Sequence, residues 1–284
     1  MQITTSYLSL QSTVQHFAPE LLEDDVYPTV SVVRVPSWHQ NQKFAYKTID
    51  RPIYIPEDTQ CILDEVNVLA QVRGERNIAQ IVGVVCSENP YKSHRLNPGP
   101  KKDMVLTGFL MEYYTGGSLD SVIEKTETKT KHNPENEIDS ALPIVQWAKQ
   151  IGQALRALHR RGLTHSDVKP ANVVMDGNGD AVLVDVGGTG GSTMEWLAPE
   201  MARYIQQSEG SFADAPFGQR VMNDCWAFGR VLEVLADVEN RNGFEIEIGS
   251  GSGDVVEKAR RVVAGLMEED TKVRSSLDDA LARL

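Results

Sequence analysis

The first 73 residues contain no glycine, although the 284-residue chain holds 22 of them. That absence excludes a glycine-lined turn there, the kind in which backbone N–H groups come close to an anion. Cysteine is scarce as well: Cys61, Cys86 and Cys225 are scattered, odd in number and without metal-ligand spacing. A disulfide framework is excluded, and structural thiols in a reducing compartment are expected. No run approaches the roughly 18 apolar residues of a membrane span. The opening MQITTSYLSLQSTVQHF lacks the basic region and apolar core of a secretory signal. Basic residues are outnumbered, 28 against 40 acidic, for a net charge of −12. Nucleic acid is thereby excluded as the main partner, because a phosphate backbone demands a basic surface. A nucleotide needs only a local site. The expectation is a soluble intracellular protein, in the cytoplasm, with no membrane and no nucleic-acid partner.

A chain of this length exceeds the usual size of one core, which suggests one large domain or two unequal lobes with a ligand cleft between them. Residues 29 to 49 predict two strands joined by a polar turn, from their β-branched and aromatic content. Residues 58 to 72 place Ile62, Val66 and Leu69 at helical spacing. IAQIVGVV (78–85) and MVLTGFLMEYY (104–114) are strand-like, and the proline- and lysine-rich stretch between them is a solvated insertion. TGGSL (115–119) is a break, and TETKTKHNPENEID (126–139) is a polar connection. A helix runs from Pro143 on the stripe Ile144, Trp147, Ile151, Leu155 and Leu158, and stops at Gly162. ANVVM and DAVLVD form a hairpin about the turn DGNG. The remainder is mostly helical, interrupted by GSGSGD (249–254). The order predicts an α+β fold, with a small β-rich N-terminal lobe containing one main helix and a larger, mostly helical C-terminal lobe.

Between the long helix and the hairpin lies LTHSDVKPANVV (163–174), with Asp167, Lys169 and Asn172 inside six residues. A loop presented by rigid elements is a common seat of chemistry. Asp185 ends the hairpin and is followed by glycines. Phosphoryl transfer needs such parts: a carboxylate to accept a hydroxyl proton, an amide and a carboxylate for a metal ion, and a cation for developing charge.

These residues resemble the protein kinase family. HSDVKPAN is similar to the catalytic loop H-R-D-x-x-x-x-N, and DVG to D-F-G. FAYK (44–47) is similar to V-A-I-K, with Lys47 on the second of the two strands, and Glu65 falls at its partner glutamate. FLMEYYTGGSL resembles the hinge, with Met111 as gatekeeper. WLAPE contains A-P-E, DCWAFG is similar to D-x-W-S-x-G, and Arg274 falls where the family pairs an arginine with Glu200. The resemblance implies one domain over 1–284, with the N-lobe to about 111, the hinge at 112–117 and the C-lobe from 118. It implies ATP and Mg²⁺. Asp167 would be the base and Lys169 the phosphate contact, with Asn172 and Asp185 as metal ligands. Lys47, Glu65, Ala45, Glu112, Tyr113 and Tyr114 would attend the nucleotide, while His165, Asp224 and Arg274 would be scaffold. Lys169 and Thr193 resemble the branch that phosphorylates serine and threonine in proteins.

The chain departs from the pattern at several points. Where the family places G-x-G-x-x-G, this chain reads LLEDDVYPTVSVV, with acidic Glu23, Asp24 and Asp25. Ser166 replaces the arginine that receives an activation-loop phosphate, and only GGTGGSTMEW separates the flanking motifs. Both predict that loop phosphorylation does not switch this protein. Val186 replaces the phenylalanine of D-F-G. The missing loop, the VYPT and GDAVLVD phrasing and the short segment also resemble divergent kinase-like proteins of filamentous fungi. Three readings stand: a serine/threonine protein kinase, a pseudokinase that binds nucleotide or scaffolds, and a small-molecule phosphotransferase. A-P-E, the DCWAFG helix and Arg274 weigh against the last.

Overall fold

Alternating β-branched and aromatic residues build the first sheet in a computed structural model, which describes residues 20–27, 29–35, 42–48, 56–88, 104–132, 142–187, 192–208, 210–241 and 252–284. The strands are β1 (Glu20–Tyr27), β2 (Val30–Arg34), β3 (Lys43–Thr48), β4 (Ile81–Glu88) and β5 (Met104–Glu112). They lie in the order β1-β2-β3-β5-β4, every neighbour antiparallel. Helix α1 (Pro56–Gln71) belongs to the same unit. This unit comprises the described residues up to Arg73 together with Gln80–Tyr113. Period-two alternation sorts β3 into two faces. Phe44 enters a buried cluster with Val33, Val35, Val85 and Leu110. Ala45 and Lys47 point to the opposite face, paired across β5 with Met111 and Phe109.

Two sequence expectations shift here. β1 was not foreseen in ELLEDDVY, whose acidic residues disfavour strands. It forms at the sheet edge, where charged residues are tolerated, and its register against β2 is irregular. Lys47 is accordingly on the third strand. The strand expected at 78–85 begins at Ile81 and runs to Glu88. Ile78 instead bridges Leu183, and Ala79 N–H donates to the Leu183 carbonyl at 2.8 Å, which binds Gly74–Ala79 to the second unit. The insertion expected at 87–103 lies, from residue 89 on, outside the described residues.

The second unit is Gly74–Ala79 with Tyr114–Leu284. It holds α2 (Leu119–His132), α3 (Ile144–His159), a hairpin of β6 (Val173–Met175) and β7 (Ala181–Leu183), α4 (Pro199–Gln207), α5 (Phe217–Arg241), α6 (Ser252–Leu266) and α7 (Leu277–Arg283). The fold is α+β, a small antiparallel N-lobe and a larger helical C-lobe, with seven helices among the described residues. The stripe of α3 is buried throughout, and Gly162 (φ 73°) supplies the left-handed residue beyond its end. The hairpin closes on Asp176, whose Oδ1 accepts from Asn178 N at 2.7 Å and Asp180 N at 2.9 Å.

The polar connection expected from 126 is corrected: α2 continues through TETKTKH to His132. Thr126 and Thr128 return their hydroxyls to carbonyls one turn back, Val122 and Glu124, both at 2.8 Å, so they sit in the helix without leaving it. Residues 133–139 lie outside the described residues. The expected break at 249–254 ends early, since α6 begins at Ser252. No helix among the described residues is long and apolar enough to cross a membrane.

Candidate active site

In the N-lobe the candidate site residues are Lys47 and Glu65. Glu65 lies on α1 one turn before the buried Leu69, and burial would strand its charge without a partner. Lys47 supplies one, with Nζ 2.8 Å from both Oε1 and Oε2. Ala45 shares the face of Lys47, and Met111 beside it is buried. Glu112 ends β5 exposed, its N–H donating to the Gln80 carbonyl at 3.0 Å. Tyr113 carries Lys43 Nζ 5.8 Å from its ring centre. Tyr114 begins the second unit.

In the C-lobe the loop after α3 is fixed from below by Asp224 of α5. This fully buried carboxylate accepts from Ser166 N on Oδ1 and from His165 N on Oδ2, both at 2.9 Å. His159 Nε2 lies 2.9 Å from Oδ2. The two backbone bonds hold Ser166 in the left-handed region, φ 76°, an uncommon state for a side chain of this kind. Asp224 also acts on its neighbour: burial foremost, reinforced by this negative charge, pushes the Cys225 thiol up to about 12. His165 Nε2 lies 3.0 Å from the Val184 carbonyl, which can only accept, so Nε2 carries the hydrogen. Its Nδ1 then accepts from Asp167 N at 3.4 Å. The histidine ties the loop to the strand-end that leads into Asp185.

Asp167 is the centre of this half. Thr193 N donates to Oδ1 at 2.9 Å, Asn172 Nδ2 donates to Oδ2 at 3.1 Å, and Lys169 Nζ lies 2.6 Å from Oδ2. Lys169 Nζ also donates to Thr193 Oγ1 at 2.7 Å. A carboxylate held this way is oriented before any acceptor arrives. Asn172 Nδ2 donates a second time, to the Asp167 carbonyl at 2.8 Å, so the amide oxygen is the group left to meet a cation. Asp185 follows β7 in a left-handed conformation, φ 59°, and Val184 N donates to the Asn172 carbonyl at 3.0 Å, tying the two candidate metal ligands together. Among the described residues no three histidine, cysteine, aspartate or glutamate side chains gather as a metal cluster. One carboxylate with one amide oxygen fits Mg²⁺, a hard ion that takes its other ligands from water and phosphate. Val186 is fully buried, as an apolar residue there requires.

Ser166 and Thr164 are buried with their hydroxyls 3.1 Å apart, so the side chain at position 166 brings no charge of its own. Arg274 meets Glu200 through two bonds of 2.5 and 3.0 Å, and also donates to the Glu268 carbonyl at 2.7 Å. Two supports escaped the sequence reading. His159 precedes His165 by six residues at the end of α3, and its position offers no signal until α5 is in place. Asn223, beside Asp224, accepts from Ala198 N at 2.9 Å and seats the start of α4. Adjacency to the DCWAFG motif was its one clue.

Residues 29–236 match the family described as protein kinase domain. The chain belongs to the protein kinase family. It is 30% identical over 157 residues to mitogen-activated protein kinase kinase kinase 18 of Arabidopsis thaliana, covering 54% of this chain and 41% of that protein. It is 28% identical over 164 residues to mitogen-activated protein kinase kinase 9 of the same plant, covering 52% and 46%. To CBL-interacting protein kinase 12 of Oryza sativa it is 29% identical over 153 residues, covering 49% and 23%. The chain spans less than half the length of each of these relatives.

Proposed function

We propose that the chain is an ATP- and Mg²⁺-dependent kinase that phosphorylates serine and threonine hydroxyls of proteins. The observation that carries this reading is the Asp167 carboxylate held by Thr193, Asn172 and Lys169. Asp167 accepts the proton of the attacking hydroxyl, and Lys169 offsets charge on the transferred phosphoryl group. Asn172 and Asp185 hold Mg²⁺, which neutralises phosphate charge. Lys47, steadied by Glu65, binds the remaining phosphates, and the backbone at Glu112–Tyr114 with Ala45 receives the base. Both units are read as lobes of a single kinase domain acting inside the cell. The bond from Lys169 to Thr193 supports hydroxyl acceptors of the serine/threonine type.

A base contributes about 10²–10⁴-fold to such a transfer. Asp167→Asn is therefore expected to lower phosphate transfer from ATP to a generic protein acceptor by at least about a hundredfold. Equal, background-level transfer by wild type and variant would sink the reading. One observation favours a second reading. The β1–β2 hairpin that would cover the phosphates has no glycine and is acidic in sequence. On that reading the protein is a pseudokinase, which binds nucleotide without turnover. ATP-dependent stabilisation with no transfer would single it out.

A further inference from the structure

The β6–β7 hairpin carries a candidate metal ligand at each end: Asn172 stands immediately before β6 and Asp185 two residues after β7. Two strands of three residues have no stability of their own, so the placing of both ligands depends on what grips the hairpin. Its two edges are held by backbone and by one side chain. Beside β6, Gly116 N donates to the Met175 carbonyl at 2.9 Å and Met175 N to the Gly117 carbonyl at 2.8 Å. Beside β7, Leu183 N donates to the Asn77 carbonyl at 2.9 Å, and Asn77 Nδ2 donates to the Ala181 carbonyl at 2.7 Å.

The turn of the hairpin is gripped from α3. Gln146 and Gln150, one helical turn apart, both donate Nε2 to Asp180 Oδ1, at 2.7 and 2.5 Å. Trp147 Nε1 donates to the Gly179 carbonyl at 2.9 Å. Gln150 does more than its neighbours, because its Oε1 also accepts from Ala181 N at 2.8 Å. It is half-buried, so its bonds are shielded from water, whereas Gln146 is exposed. Ala181 opens β7 and faces Met175 across the ladder, while Val173 and Leu183 form the other end, next to Asn172 and Val184. The amide of Gln150 therefore fixes the first residue of the strand that leads into Asp185.

With Asn172 and Asp185 read as the Mg²⁺ ligands, as in the proposed function on which this rests, we propose that Gln150 is a positioning residue for the cation site. It sets the hairpin so that the amide oxygen at one end and the carboxylate at the other serve one ion. An ion as small and as exacting in geometry as Mg²⁺ registers a shift of its ligands more sharply than the rest of a nucleotide does. Only glutamine suits the place, since one side-chain amide must donate to a carboxylate and accept from a backbone N–H. Gln150→Glu keeps the acceptor but sets a second negative charge against Asp180. Combined with Asp180→Asn, it restores both bonds with donor and acceptor exchanged, and leaves an oxygen for Gln146.

The test uses the full chain and a non-hydrolysable ATP analogue with an imido bridge between its β- and γ-phosphates. Calorimetric titration gives Kd for the analogue in excess Mg²⁺ and in EDTA, and the ratio of the two is the gain in affinity due to the cation. Tm checks folding. A residue bonded directly to a metal ligand typically changes metal affinity about 10–100-fold, so Gln150→Glu, acting through the hairpin, is expected to lower the gain about fivefold, with Kd in EDTA within about twofold of wild type. Asp180→Asn alone keeps an oxygen for both amides and should leave the gain unchanged. Adding it to Gln150→Glu should return the gain to within about twofold of wild type, the coupling expected of two groups in direct contact. Gln150→Met removes both bonds without adding charge and should show a smaller loss of the same kind; it carries the test if Gln150→Glu does not fold. A wild-type gain in Gln150→Glu and Gln150→Met, an equal loss in Mg²⁺ and in EDTA, or a double variant no better than Gln150→Glu would overturn the inference and leave the nucleotide reading standing. A wild type with the same Kd in Mg²⁺ and in EDTA would remove Asn172 and Asp185 from the metal role and this inference with it. No binding of the analogue at all would overturn the nucleotide reading itself.

Discussion

Cys225 records what a buried anchor does to its neighbours. Its thiol is raised to about 12 by burial first and by the Asp224 charge second, with Arg274 acting in the opposite sense. An unfolded thiol ionises at roughly 8.5. The fold favours the neutral thiol, so this contribution to stability is fully present below the unfolded value. It is lost as pH rises from there through about 12, where the folded state also ionises. The urea midpoint is therefore expected to fall with pH across that alkaline window. In Cys225→Ala the fall should be shallower, even though the absolute stability is lower for want of the sulfur's contacts. Equal slopes for the two proteins would show that the thiol is not the group responsible. The slope is the readout because Tyr46 and Cys86, also raised chiefly by burial, are unchanged in both.

At the scale of elements, two glycines mark different tolerances. A Cβ on Gly108 of β5 would stand 2.3 Å from the Lys47 carbonyl and 2.8 Å from the Tyr46 ring. The carbonyl belongs to the β3–β5 ladder and cannot swing away as a side chain can. Gly108→Ala is expected to cost about 1–3 kcal/mol in chemical denaturation, as overpacking does. It should also weaken ATP binding, because the displaced backbone is that of Lys47. On α3, a Cβ on Gly152 would meet the tip of Leu281 at 2.9 Å, the flexible end of a side chain. Gly152→Ala should therefore cost less, and leave ATP affinity alone. A Gly108 variant as stable and as tight-binding as Gly152→Ala would contradict the assigned register.

For the whole molecule, the decisive quantity is what nucleotide does to stability. A ligand that binds only the folded state adds about 2.7 kcal/mol at a hundred times its dissociation constant. ATP with Mg²⁺ is expected to raise the melting temperature of the wild type and not that of Lys47→Met, which loses the ammonium 2.8 Å from Glu65. A rise of the same size in both would remove Lys47 from the binding role. Stabilisation with turnover supports the kinase, and stabilisation without it the pseudokinase. The glycine-free hairpin bears on the same measurement, since a turn without glycine is expected to hold phosphates weakly.

Residue types and spacing pointed to Asp167, Lys169, Asn172 and Asp185 as parts that phosphoryl transfer uses, while Lys47 and Glu65 were read only from the resemblance to the protein kinase family. The sequence also announced α3 and the β6–β7 hairpin, whose apolar periodicity and turn residues are local properties. The strand β1 and the length of α2 were illegible, since neighbouring strands and side-chain-to-backbone bonds outweighed weak local propensity at those places. Only the tertiary structure joined His159, Asp224 and the loop of His165 and Ser166, and only it brought Arg230 to Trp196. Such contacts pair residues tens of positions apart. They are decided when α5 packs in the core, and no local pattern in the chain encodes them.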